Sequence, residues 1–325
     1  MKKLIQDFTK QLTDALVIGN GTKLTPSTKK FNNVLITGMG GSGIGGTILS
    51  ELATSSVIPI LVNKTYDLPS WVNEHTLVIG STYSGNTEET ISVVEAALKA
   101  GAELAFITSG GRAGEIAAEN NLNQIVLEGG NPPRSMLSYS LVSLMFLLNH
   151  YGITNFDINE EINTAIALLD TEETDTIANS KTLAENLQNT FPLIYGVAGY
   201  DGISTRFRQQ INENAKMLCG HHIIPEMNHN ELVGWAGAQD YISVVILRNA
   251  DDSAKNQQRI DINKTIMSKY TNKIYEIWGK GDSKIARTLY HIHFEDWVSM
   301  HLSELNDVDV VEVKVIDFLK SELAK

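Results

Sequence analysis

Short, almost wholly apolar runs recur along the first half of the chain, each followed by a stretch with helical periodicity. Val34-Leu35-Ile36, Ile58–Val62, Leu77-Val78-Ile79, Leu104–Ile107 and Ile125-Val126-Leu127 read as strands. Over Glu88–Ala100, Ile91, Val94 and Ala97 or Leu98 fall on one helical face. Continuous apolar strands separated by helices predict a parallel sheet covered on both sides. Pro132-Pro133 opens a strongly apolar helix through Leu148. From Asn155 to Thr190 the chain turns polar, with helices expected over Glu160–Leu169 and Thr174–Gln188. A second β/α series follows: Leu193–Val197, a helix from about Thr205, Ile242–Leu247, Ile274–Trp278 and a helix over Lys284–Glu304. Val310–Leu323 closes the chain as an amphipathic tail. The pattern predicts two domains, residues 1–153 and 154–325, each a doubly wound parallel α/β unit.

The length of 325 residues suits two such domains, each able to bury its own core. A net charge of −12 argues against nucleic-acid or anionic-membrane binding, since both need a basic footprint. It leaves open an anionic ligand held by backbone N–H groups. The single cysteine, Cys219, excludes an internal disulfide framework and a cysteine-based zinc site. The opening MKKLIQDFTKQL lacks the apolar core of a signal peptide, and no run approaches a membrane span, so a cytoplasmic location is expected.

Two loops carry candidate chemistry. Gly38-Met39-Gly40-Gly41-Ser42-Gly43-Ile44-Gly45-Gly46 follows the first strand and opens a helix, and six of its nine residues are glycine. Glycines let backbone approach a ligand, and the helix N-terminus beyond them offers unpaired N–H groups to an anion. The spacing Gly38, Gly40, Gly43 also satisfies the dinucleotide pattern, but the next strand runs into Val62-Asn63-Lys64-Thr65 with no acid before Asp67 to hold a ribose. The second loop, Ser81-Thr82-Tyr83-Ser84-Gly85-Asn86-Thr87, sits between the third strand and the next helix. One hydroxyl suffices for a helix cap, so Thr82, Ser84 and Thr87 together exceed that need and suit a phosphate monoester. Both loops fall at carboxyl ends of strands, where open α/β sheets bind ligands.

The pair GMGGSGIGG and STYSGNTEET resembles a sugar isomerase (SIS) domain, a flavodoxin-like doubly wound fold that binds phosphosugars. RFRQQINENAK at Arg206–Lys216 and PEMNHNELVGW at Pro225–Trp235 resemble the bifunctional phosphoglucose/phosphomannose isomerases, which carry two SIS domains. The resemblance implies a metal-free and cofactor-free aldose–ketose isomerase of hexose 6-phosphates, working as a homodimer through an enediol. It implies that Gly41, Ser42, Thr82, Ser84 and Thr87 hold phosphate or neighbouring hydroxyls, that Glu213 is the base, and that Arg134 steadies the enediolate. His229 and Lys320 are implied in ring opening, with Lys314 the alternative should the tail register differ. Where bifunctional relatives carry a threonine credited with admitting the mannose epimer, this chain has Val313, and no threonine follows Thr288.

Read locally, each of these residues has a plainer alternative. Arg206, Gln210 and Glu213 share a helix face that could simply be solvated, opposite an apolar stripe of Phe207, Ile211, Ala215 and Leu218. His229 suits a surface loop, and Arg134 a first-turn arginine. His221-His222 matches no role, and Cys219 reads as a small buried hydrophobe. His291 and His293 cannot share a metal if their segment is helical, because residues two apart point about 200° away from each other. The competing functions are an isomerase of another phosphosugar and a non-catalytic phosphosugar-binding regulator.

Overall fold

The computed structural model describes residues 1–323. In chain order the elements are α1 (Lys2–Gln6), α2 (Phe8–Gly21), β1 (Asn33–Thr37), α3 (Gly40–Leu52), β2 (Ile60–Asn63), β3 (Thr76–Ser81), α4 (Glu88–Lys99), β4 (Glu103–Thr108), α5 (Gly111–Glu119), β5 (Asn123–Val126) and α6 (Leu137–His150). Then come α7 (Ile158–Leu187), β6 (Phe191–Val197), α8 (Asp201–Ala215), β7 (Gly220–Ile224), α9 (Glu231–Gly234), β8 (Ile242–Arg248), α10 (Ala254–Met267), β9 (Ile274–Trp278), α11 (Lys284–Leu305) and α12 (Lys314–Leu323).

Two parallel sheets are present, ordered β2-β1-β3-β4-β5 and β7-β6-β8-β9. The first is the flavodoxin-like order, with its switch point between β1 and β3, and the second repeats its first four places. The chain divides into two compact units: Gln6–Asp170 with Gly281–Ala286, and Met1–Ile5, Thr171–Lys280 and the chain from Arg287 on. The division falls inside α7, later than the position near 153 expected from composition. In the first of these units β3 is buried along its whole length. One face of its sheet packs Leu35, Val78, Leu104 and Phe106 against Val93, Val94 and Ile116 from α4 and α5. Each such side chain contributes about 1.5–3 kcal/mol relative to leaving it in water.

Several expectations need correction. Polar Asn155–Thr190 forms one helix of 30 residues rather than two. The acids that interrupt its apolar stripe stay helical because they have partners: Glu172 binds Lys280 at 2.5 Å and Glu173 binds His293 at 2.6 Å. Strand β7 is unmarked in the sequence because His221-His222 breaks its apolar run, and as an edge strand it is only partly covered. Helix α10 hides behind a polar sequence, burying only Ile260, Asn263 and Met267, and starts where the Ser253 side chain accepts the Asn256 N–H. Pro132-Pro133 leads first into a 3-10 turn, Pro133–Ser135, and α6 begins at Leu137. Helix α8 starts at Asp201, four residues earlier than read. It ends as Lys216 turns left-handed at φ 55°, so Leu218 leaves the stripe and is 78% exposed, while Phe207, Ile211 and Ala215 are buried. The closing helix begins at Lys314 rather than Val310.

Helix α11 is buried on nearly every side and carries an unusual load of titratable groups. His291 and His293 both lie on it, and their rings go to different partners, Asn249 at 3.1 Å and Glu173 at 2.6 Å. Burial pushes the His291 pKa down to about 4. Glu295 is 0% exposed, and both its carboxyl oxygens lack a hydrogen-bond partner among the described residues. Burial raises its pKa well above the ordinary carboxylate value, with Arg206 opposing. The folded chain therefore holds a proton on Glu295 that the unfolded chain releases above about pH 4.3. Stability contributed at this site is lost as pH rises from there toward the folded-state pKa, at about 1.4 kcal/mol per pH unit. Glu295→Gln removes this cost, so the variant gains on the wild type in denaturant midpoint as pH rises. His291 acts with the opposite sign between about 4 and 6.5, but it is common to both chains and cancels. A difference between the two chains that stays constant with pH overturns this account.

Candidate active site

The glycine loop and the hydroxyl loop meet at the switch point of the first sheet. The Tyr83 N–H donates to Ser42 Oγ at 3.0 Å, and Ser81 Oγ donates to the Ser42 carbonyl at 3.3 Å. They share a small recess with the turn ahead of α6, lined by Gly41, Ser42, Ser81, Tyr83, Pro133 and Met136. The fit requires glycine: a Cβ on Gly41 would lie 3.0 Å from the Pro133 carbonyl, and one on Gly43 would lie 2.3 Å from the Gly38 carbonyl. The arrangement thus sets the Gly41 backbone directly against the Pro133–Ser135 turn, which carries Arg134, 7% exposed. That burial overturns the surface-arginine alternative.

The two helix N-termini at this edge differ electrostatically. The first turn of α3 contains no acidic residue, whereas that of α4 contains Glu88 and Glu89. An anion is favoured at a helix N-terminus whose dipole is not already met by carboxylates, so α3 is the stronger phosphate end. Thr87 occupies the N-cap position of α4, yet its side chain makes no cap bond. Its hydroxyl pairs with that of Thr82 at 3.0 Å. Thr82 is 0% exposed, Thr87 is half-buried, and exposed Ser84 accepts from the Asn86 N–H at 3.3 Å. Tyr83 escaped the sequence reading. Its hydroxyl donates to the Glu128 carbonyl at 2.7 Å and accepts the Asn131 N–H at 3.2 Å, tying down the strand-end segment that leads to Arg134.

In the other unit, Glu213 lies half-buried in the last turn of α8. The polar face shared with Arg206 and Gln210 is not solvated, because both neighbours are 3% exposed. Asp296 of α11 takes Arg206 on both oxygens, at 2.5 and 3.0 Å, and Gln210 at 2.6 Å. One turn on, Asn214 donates to Ser299 Oγ at 2.9 Å, and Asn306 donates to the Ala215 carbonyl at 3.0 Å. This seam fixes the register of α8 on α11, and with it the direction of Glu213. Lys216 was also overlooked, although it closes the ENAK motif. Its ammonium donates to the carbonyls of Glu213, at 2.6 Å, and Glu312, at 2.7 Å. The bond to Glu312 draws the segment holding Val313 to the turn that carries Glu213.

His229 ends a short 3-10 turn, Glu226–His229, and is exposed. Lys320 and Lys314 are both exposed on α12, Lys314 at its first position. His222, which follows no helix but lies in β7, contacts Glu231 at 2.6 Å through Nδ1. Glu231 also accepts from the Tyr195 hydroxyl, whose pKa is raised by burial and by that carboxylate. His221 receives the Arg208 Nε–H at 3.0 Å on Nδ1, and its pKa is lowered by burial and by that guanidinium. Cys219 is buried and its thiol is pushed up to about 12, which keeps it protonated and unreactive. Among the described residues no group of three His, Cys, Asp or Glu side chains is placed to hold a metal ion. No described helix is long and apolar enough to cross a membrane.

Residues 176–323 match the family model described as the bacterial phospho-glucose isomerase C-terminal SIS domain. The C-terminal domain of glucosamine-fructose-6-phosphate aminotransferase from Francisella tularensis superposes with a TM-score of 0.78 at 13% identity, covering 96% of this chain and 98% of that one, which shows a common fold. D-glucosamine-6-phosphate 4-epimerase of Sulfolobus acidocaldarius is 30% identical across 70% of this chain and 73% of its own length. The bifunctional phosphoglucose/phosphomannose isomerase of Caldicellulosiruptor bescii is 34% identical across 100% of this chain and 99% of its own. With that identity sustained from end to end, the chain belongs to the bifunctional phosphoglucose/phosphomannose isomerase family.

Proposed function

We propose that this protein interconverts glucose 6-phosphate and fructose 6-phosphate by moving a proton between C2 and C1 through an enediol. The observation that carries the reading is the recess of the first sheet, where the acid-free N-terminus of α3 and Ser42 meet the hydroxyl loop, with Gly41 packed on the turn that carries buried Arg134. Backbone N–H groups and hydroxyls there suit a phosphate monoester in a chain of net charge −12, because the anion is bound locally rather than by a basic surface. Gly41, Ser42, Thr82, Ser84 and Thr87 form the proposed phosphate and hydroxyl contacts, directly or by shaping the loop, and Arg134 steadies the negative charge of the enediolate. Glu213 is the proposed base, while His229 and Lys320 pass protons to and from the ring oxygen as the ring opens.

A coupled assay with each hexose phosphate tests the reading. Turnover of glucose 6-phosphate is expected, and its absence overturns the function. Mannose 6-phosphate should be the poorer substrate, because Val313 keeps the shape of a threonine but lacks its hydroxyl. Val313→Thr is expected to raise kcat/KM for mannose 6-phosphate about tenfold, the worth of one hydrogen bond of about 1.4 kcal/mol. An unchanged ratio between the two substrates removes Val313 from specificity. The epimerase relative gives a second reading some support, and glucosamine 6-phosphate in the same substrate panel separates the two.

We further propose a cytoplasmic homodimer. Helix α12 exposes Val315, Phe318, Leu319 and Leu323 at 81%, 65%, 57% and 65%, a face that a second copy would cover. Light scattering should give twice the 35.7 kDa chain mass, and a single-chain mass overturns the proposal.

A further inference from the structure

The loop that carries His229 is anchored at its ends by apolar side chains and fastened between them by a carboxylate. Met227 and Trp235 are 0% and 3% exposed and pin the two ends. His229 stands between them and is exposed. Two residues later, Glu231 accepts the Tyr195 hydroxyl on Oε1 and contacts His222 Nδ1 on Oε2 at 2.6 Å. Tyr195 and His222 are direct partners across β6 and β7, so both project from one face of the sheet. Tyr195 is 1% exposed, and its hydroxyl donates to Glu231, with Trp235 its other side-chain partner.

A carboxylate held on both oxygens by two groups fixed in the sheet has neither its plane nor its depth free. Apolar anchors set how close a loop lies but tolerate rotation, whereas these two bonds specify the orientation of the turn. The remaining polar contacts pass that orientation back toward His229. The Glu231 N–H donates to Asn230 Oδ1, Asn230 Nδ2 reaches Glu226 at 3.0 Å, and Asn228 Nδ2 reaches Asn263 at 2.6 Å. His229 is therefore flanked on both sides by residues whose side chains are already committed.

We propose that Glu231 is a positioning residue for His229, holding the loop at the ring-opening geometry through Tyr195 and His222. The inference rests on the reading of His229 as the group that passes a proton to the ring. Glu231→Ala is expected to lower kcat for glucose 6-phosphate by about tenfold to a hundredfold, the scale of a misplaced catalytic group, with KM changed by less than about threefold. Glu231→Gln keeps an acceptor for Tyr195 and a donor for His222, so it should retain most of the activity. A Gln variant as damaged as the Ala variant overturns the clamp in favour of a role for the charge itself. The sharper measurement adds Glu231→Ala to His229→Ala. A residue acting only through His229 costs nothing further in that background, and a second loss of the same size overturns the proposal. If Glu231→Ala fails to fold, Tyr195→Phe carries the same comparison. A His229→Ala enzyme with unaltered kcat instead defeats the ring-opening assignment, an outcome distinct from a damaging His229→Ala with additive Glu231→Ala.

Discussion

Glu213→Gln is expected to lower kcat for glucose 6-phosphate isomerisation by about 10²- to 10⁴-fold, the usual contribution of a positioned general base. The amide keeps the length and shape of the side chain but cannot take a proton from carbon. Since the proton is moved only in the transition state, kcat and kcat/KM should fall together while KM stays near its original value. Glu213 is half-buried and lies outside the Asp296 seam, so the change should cost no more than the roughly 1 kcal/mol of an ordinary point substitution. A second readout makes the assignment specific. In deuterated water the wild type should place solvent deuterium on the sugar through the enediol, and the variant should lose that exchange in parallel with kcat. Turnover within twofold of wild type would show that another group is the base.

Much of this architecture was legible because its signals are local. The five apolar runs of the first sheet are continuous, and a fully buried parallel strand such as β3 leaves no polar interruption to misread. The glycine loop announced itself because a Cβ at Gly43 would strike backbone, a constraint that leaves a mark in composition. What escaped depends on partners far along the chain. The acids in the middle of α7 look like a break until Lys280 and His293 are placed beside Glu172 and Glu173. Strand β7 carries two histidines whose partners are the Arg208 guanidinium, a donor, and the Glu231 carboxylate, an acceptor. The polar face of α8 read as solvated because Asp296, which buries it, lies 86 positions beyond Gln210. In the first sheet, Gly41 packs on the turn that carries Arg134, and Ser42 lies beside it in the recess. Tyr83 and Lys216 were missed because they act on backbone carbonyls, for which the sequence has no sign.

The same seam yields the largest expected loss of stability. Asp296→Ala should cost about 3–5 kcal/mol, the range for breaking one side of a buried ion pair. The cost arises from what is left behind more than from the bonds removed. Arg206, 3% exposed, would keep its charge without the carboxylate that meets it on two nitrogens, and Gln210 would lose its acceptor in the same place. Asp296→Asn retains an acceptor oxygen of the same reach and should cost clearly less. Neighbouring Glu295 sets which end of the range applies. Its carboxyl is held protonated by burial, and Arg206 is the group that opposes this. With Asp296 gone, the Arg206 guanidinium favours the ionised form of Glu295, which would supply a replacement charge and keep the loss near about 3 kcal/mol. Adding Glu295→Gln to Asp296→Ala removes that rescue, so the double variant should lose more than the sum of the two singles. Urea unfolding followed by fluorescence reads this directly, since Trp297 is 1% exposed and adjacent to Asp296. Additive losses would mean that Glu295 offers Arg206 no second partner. A single-variant loss under about 1 kcal/mol would mean that the seam does not hold α8 in place, and with it Glu213.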